Sequence, residues 1–138
     1  MTHKGWLGDI ANKANKANKM VRGLARTLGL MADEHLLVLT TTDSDESANA
    51  LAKSAVAARV AACVQVDGPI ISTYWWEGAV QADQEWRVLF KTTTDRYADL
   101  EAHIKANHSY DVPEIIATAI TAGSAAYLGW VTEETTPR

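Results

Sequence analysis

Between Val60 and Thr93 the chain consists of two extended runs joined only by Glu77-Gly78. A dipeptide of that kind suits a tight antiparallel hairpin, so the two runs are expected to pair directly. In the return run, from about Ala79 to Thr93, Trp86, Val88 and Phe90 fall on one face and Arg87, Leu89 and Lys91 on the other. Asp67-Gly68-Pro69 interrupts the first run and predicts a bulge or bend before Ile70–Trp76 resumes it. Strands of about 15 residues reach about 50 Å, more than the sheet of a small domain can pair. Edges this long, carrying Tyr74, Trp75, Trp76 and Trp86, aggregate unless a partner covers them, and a closed ring of subunits does so. A homo-oligomer is expected.

The elements around the hairpin set the fold class. His35–Thr41 reads as a strand, and Ser44 or Asp45 can cap a helix from about Glu46 to Ala58 with Ala48, Leu51, Ala52, Ala55 and Val56 inward. Asp95 starts a second helix to about Asn107, with Tyr97, Leu100 and Ile104 inward. Val112-Pro113 ends a turn, Glu114–Thr121 is a fourth strand, and a short helix around Ala125–Thr132 closes the chain. The order is β-α-β-β-α-β plus a terminal helix, an α+β, ferredoxin-like arrangement with two helices on one face of an antiparallel sheet.

The formal charge of −4 conceals an asymmetry. Residues 1–30 carry Lys4, Lys13, Lys16, Lys19, Arg22 and Arg26 against Asp9, a sum of +5, which leaves −9 for residues 31–138. An acidic body repels phosphate backbones, so no nucleic-acid partner is expected, whereas cations are drawn to it. The boundary is placed near Met31, with 1–30 as a basic extension and 31–138 as the main domain. In the extension, Leu7, Ile10, Ala14, Ala17, Val21, Leu24 and Leu28 follow the three-four spacing of an amphipathic helix. Its open readings are a trimerising partner helix, a helix on an anionic membrane surface, a targeting presequence, or an artificial appendage. Cys63 is the single cysteine, which excludes an internal disulfide and suits a reducing, cytoplasmic compartment. No run approaches the roughly 18 apolar residues of a membrane span.

Ala61–Val66 with Gly68-Pro69-Ile70, Tyr74–Gly78, Gln84–Trp86, Phe90–Thr92, His108-Ser-Tyr-Asp-Val-Pro-Glu-Ile115 and Tyr127–Trp130 occur in an order that resembles the CutA divalent-cation tolerance family. The resemblance runs from about Leu36 to Val131. It implies a stable, PII-like homotrimer of ferredoxin-like subunits, and binding of Cu(II) or another divalent cation. His108 matches the histidine of the family motif, and imidazole suits such metals. Thr40 and Asn107 stand where relatives credited with copper binding have a cysteine and a second histidine, so a site here has to combine His108 with Glu114 or Asp111, or with His108 of other subunits. The competing reading is that His108 caps the preceding helix or hydrogen-bonds across a cleft.

Tyr74, Trp76, Glu85, Lys91, Tyr110, Glu114 and Trp130 are candidates to line a cleft between subunits, or to form the apolar interface itself. Cys63 is assigned to packing, and His35 and His103 to solvent. His3 with a free amino terminus forms an incidental nitrogen chelate for Cu(II). No Gly-rich phosphate loop or nucleophile motif appears, so catalysis is not expected. The alternatives to metal handling are a PII-like small-molecule sensor and a non-catalytic trimeric scaffold displaying its N-terminal helix.

Overall fold

The computed structural model describes residues 9–10, 12–20 and 34–138. The chain divides into two units, Met1–Asp33 and Glu34–Arg138. In the first, residues 9–10 and 12–20 are helical; the expected boundary near Met31, His3, and the helix positions Leu7, Val21, Leu24 and Leu28 lie outside the described residues.

The second unit contains β1 (His35–Thr42), α1 (Asp45–Ala57), β2 (Cys63–Trp76), β3 (Ala79–Thr93), α2 (Tyr97–Asn107), β4 (Ile116–Ala119) and α3 (Ala125–Glu134). The sheet is antiparallel throughout, in the order β2-β3-β1-β4. This is the expected α+β, ferredoxin-like order. Ser44 caps α1 by accepting from the Ser47 amide at 3.0 Å, and Asp45 and Glu46 face the positive end of the helix dipole. Beyond α1, Arg59 has a positive φ of 60° where glycine is usual. Its guanidinium donates to the carbonyls of Thr136 at 2.9 Å and Glu133 at 3.0 Å, which ties the end of α1 to the end of α3.

Val38, Val88 and Phe90 from the sheet meet Leu51, Leu100 and Ile104 from the helices in a core from which water is excluded. Ala48 and Ala55 let α1 approach the sheet closely. Val56, expected to face inward, is exposed because it lies off the stripe formed by Ala48, Leu51 and Ala55. His35 and His103 also depart from expectation. His35 is buried, with Nε2 at 2.9 Å from Thr132 Oγ1 on α3, and His103 is half-buried, with Nε2 at 2.8 Å from Ser54 Oγ on α1. β4 is shorter than expected because it pairs only with Leu36–Leu39 of β1, leaving Glu114 and Ile115 in the preceding loop.

β1 pairs with β3 only from Trp86 to Thr93. The rest of the hairpin, Ile70–Trp76 against Ala79–Glu85, is a two-stranded arm outside the four-stranded sheet. Glu77 at φ 49° and Gly78 at φ 78° form its two-residue turn, the conformation that matches the right-handed twist of the strands. The predicted bulge is present as a register shift between Asp67 and Ile70. Strand alternation puts Ile71, Trp75 and Val80 on one face of the arm and Tyr74 and Trp76 on the other, and all five are exposed.

Candidate functional site

The site forms where β1 ends. Thr41 and Thr42 are the last residues of that strand, opposite Arg87 and Trp86 of β3, and the loop after α2 passes beside them. Pro113 and the extended residue His108, which closes α2, hold that loop in a non-helical course. The Nε2 of His108 donates to the Thr41 carbonyl at 2.7 Å, and its Nδ1 accepts from the Tyr110 amide at 3.0 Å. An amide can only donate, so these two bonds select the neutral tautomer with its proton on Nε2. The hydroxyl of Thr41 donates to Glu114 at 3.4 Å. Thr41 thus holds an imidazole with its backbone and a carboxylate with its side chain.

Tyr110 extends the group toward β3. Its ring lies 4.8 Å from that of His108, and its hydroxyl donates to Glu85 at 2.9 Å. Burial raises the Tyr110 pKa, and the bond to Glu85 with the charges of Glu85 and Asp43 raises it further, so the phenol stays a donor through neutral pH. Nearby on the arm, the Tyr74 hydroxyl donates to Asp83, a bond that raises its pKa in turn. The hydroxyl protons of both Tyr74 and Tyr110 are turned toward carboxylates.

Lys91, Tyr127 and Trp130 form a separate group. The Lys91 ammonium lies 5.5 Å from the centroid of the Tyr127 ring, and the rings of Tyr127 and Trp130 are 5.6 Å apart. Glu85 and Lys91 are six residues apart on β3, about 20 Å at the usual rise. The seven cleft candidates therefore divide into Tyr74, Glu85, Tyr110 and Glu114 near His108, and Lys91 and Trp130 elsewhere. Trp76 is exposed next to the arm's turn and Asp111 is exposed on the loop. Among the described residues, no three His, Cys, Asp or Glu side chains lie together as a set able to hold a metal ion. A metal reaching His108 within one subunit has to displace one of its two hydrogen bonds.

Sequence reasoning passed over Thr41, Asp83 and Tyr127. Asp83 was within reach: a two-residue turn at Glu77-Gly78 pairs Tyr74 with Gln81 and Ser72 with Asp83, which puts Tyr74 and Asp83 diagonally on one face. Thr40, by contrast, is fully buried, with a hydroxyl that has no hydrogen-bond partner among the described residues. It alternates with Thr41 and so points to the opposite side of β1. Thr40→Val keeps the shape and removes the unpaired hydroxyl, so it should stabilise the fold by about 1 kcal/mol, read as a raised urea midpoint at unchanged m value.

Comparison with known proteins agrees with this architecture. The CutA1 divalent ion tolerance protein family profile matches residues 36–134. A divalent-cation tolerance protein CutA from Thermus thermophilus is 44% identical over 99 residues, which is 72% of this chain and 96% of that protein. The chloroplastic protein CutA 1 of Oryza sativa subsp. japonica is 42% identical over 100 residues; the match covers 72% of this chain and only 56% of the rice protein's length. The crystal structure of CutA1 from Oryza sativa superposes with a TM-score of 0.73 at 41% identity, covering 75% of this chain and 94% of that one.

Proposed function

The chain belongs to the CutA1 divalent ion tolerance family, and from that premise we propose that it binds divalent cations, Cu(II) among them, as a non-catalytic, cytoplasmic homotrimer serving metal tolerance. Thr41 carries the reading, because it brings His108 and Glu114 to one place at the end of β1. Carboxylate and imidazole together suit borderline divalent ions. One subunit supplies too few donors, so the site is completed between subunits, by Asp111 or by His108 of a neighbour. Release of the Thr41 carbonyl or of the Tyr110 amide frees a ring nitrogen for the metal. The arm and the part of the sheet where Leu39 lies opposite both Leu89 and Ile116 supply the surface for assembly.

Calorimetric titration of Cu(II) into the chelator-washed chain tests this, with His3→Ala in every sample to remove the amino-terminal chelate. Saturable binding near one ion per subunit or per trimer is expected, weakened at least tenfold by His108→Ala, in line with loss of a direct ligand. Equal, weak binding with and without His108 favours a second reading, a small-molecule sensor. That reading draws on the Lys91 ammonium over Tyr127 beside Trp130, a cation and two aromatic faces available to a planar or anionic ligand. The two-residue connection at Glu77-Gly78 leaves no room there for a long signalling loop.

A further inference from the structure

The metal reading leaves the N-terminal segment unused. Residues 9–10 and 12–20 are helical, and nearly every side chain along them is exposed, Ile10 at 46% and Met20 at 69%. At about 3.6 residues per turn, Ile10, Ala14 and Ala17 share one side, while Lys16 and Lys19 stand on the other with Asn12 and Asn15. Lys13 sits at the flank of the apolar side. In the sequence, Leu7, Val21, Leu24 and Leu28 keep the same three-four spacing, and Arg22 and Arg26 add to the positive charge.

We infer that this segment is a peripheral anchor that lays its apolar stripe into the surface of an anionic lipid bilayer. Two independent features select that occupant. The stripe is too poor in large side chains to hold a stable coiled coil, with alanine at positions 14 and 17. The charge, six cations against Asp9, matches anionic headgroups. A purely electrostatic contact would leave Ile10 in water. A bilayer takes both: the apolar side enters the acyl boundary and the lysine stems reach back to the headgroups. A helix this short, with Asn12, Asn15 and Asn18 in it, is marginal in water, so docking should increase its helicity. Among the described residues no helix is long and apolar enough to cross a membrane, and a surface anchor needs none.

The test is flotation of the full chain with vesicles of phosphatidylcholine containing one third phosphatidylglycerol, beside vesicles of phosphatidylcholine alone. Binding to the anionic vesicles only is expected, with a rise in helical circular dichroism, and it should weaken as salt is added. Replacing Lys13, Lys16 and Lys19 together by Gln should lower the partition coefficient by about fivefold per lysine, on the order of a hundredfold in all. Ile10→Asp should abolish flotation while leaving the main domain's unfolding unchanged. Absence of flotation by the full chain overturns the inference, as does flotation that survives both variants. A fall in oligomer mass on Ile10→Asp, with no vesicle binding by either chain, overturns it in favour of a helix docked on a second copy.

Discussion

A chain carrying Trp75→Glu and Trp76→Glu should sediment as a folded monomer at concentrations where the unaltered chain forms the proposed trimer. The two indoles are 74% and 61% exposed on opposite faces of an arm only two strands thick. An isolated two-stranded hairpin is marginally stable in water, yet this one extends from the domain with large apolar groups on both sides. Burying an indole removes roughly 200 Å² from water, an upper bound of about 5 kcal/mol per tryptophan at 25 cal/mol per Å². Only part of that survives the entropy of association. Even about 4 kcal/mol per subunit weakens assembly by about a thousandfold per contact, and a buried unpaired glutamate adds a further penalty. The core residues Val38, Phe90 and Leu100 lie outside the arm, so far-ultraviolet circular dichroism should change little. A monomeric unaltered chain at tens of micromolar would remove the proposed trimer, and a trimeric double variant would place the contact elsewhere than the arm.

The parts of the fold governed by short-range rules were legible from residues alone. Glu77-Gly78 predicted the turn, alternation predicted that Trp86, Val88 and Phe90 share one face, and Asp67-Gly68-Pro69 predicted the bulge. The departures are tertiary. β4 covers only Ile116–Ala119 opposite Leu36–Leu39, with the Ile120 amide still bonded to the His35 carbonyl at 3.0 Å, an extent that no local pattern in residues 114–121 encodes. His35 reads as a solvated strand opener until α3, 97 residues away, covers it with Thr132. At the site, His108 with Glu114, and Glu85 with Tyr110, could be named together from the sequence, but the residue that gathers them could not. Thr41 gathers His108 through its backbone carbonyl, a group every residue has and no composition reveals. Glu85 and Lys91 looked like neighbours in a list of charges, yet strand rise separates them along β3.

Gly68→Ala should cost the fold about 3 kcal/mol, a large loss for a change of one methyl group. A Cβ at this position would lie 2.5 Å from Trp86 Cδ1, 2.8 Å from Cγ and 3.1 Å from the Trp86 Cα. Neither neighbour yields easily. The indole packs against the hydrophobic core, and the Cα belongs to a β3 residue paired with β1. Gly68 also adopts a φ of 154°, where a side chain is disfavoured whatever the space. The effect should spread beyond local stability, because the bulge carries the register from Asp67 opposite Arg87 to Ile70 opposite Glu85. It thereby sets the direction of the arm and the position of Glu85 under the Tyr110 hydroxyl. A double-mutant cycle with Trp86→Ala separates the two causes. With the indole gone the steric part vanishes, so Gly68→Ala should then cost only the backbone strain, about 1 kcal/mol. The interaction between the two substitutions should therefore be favourable by about 2 kcal/mol in urea unfolding, with all four chains compared at one protein concentration. Strict additivity would mean that the indole moves aside at little cost, and that the bulge needs glycine for its backbone alone.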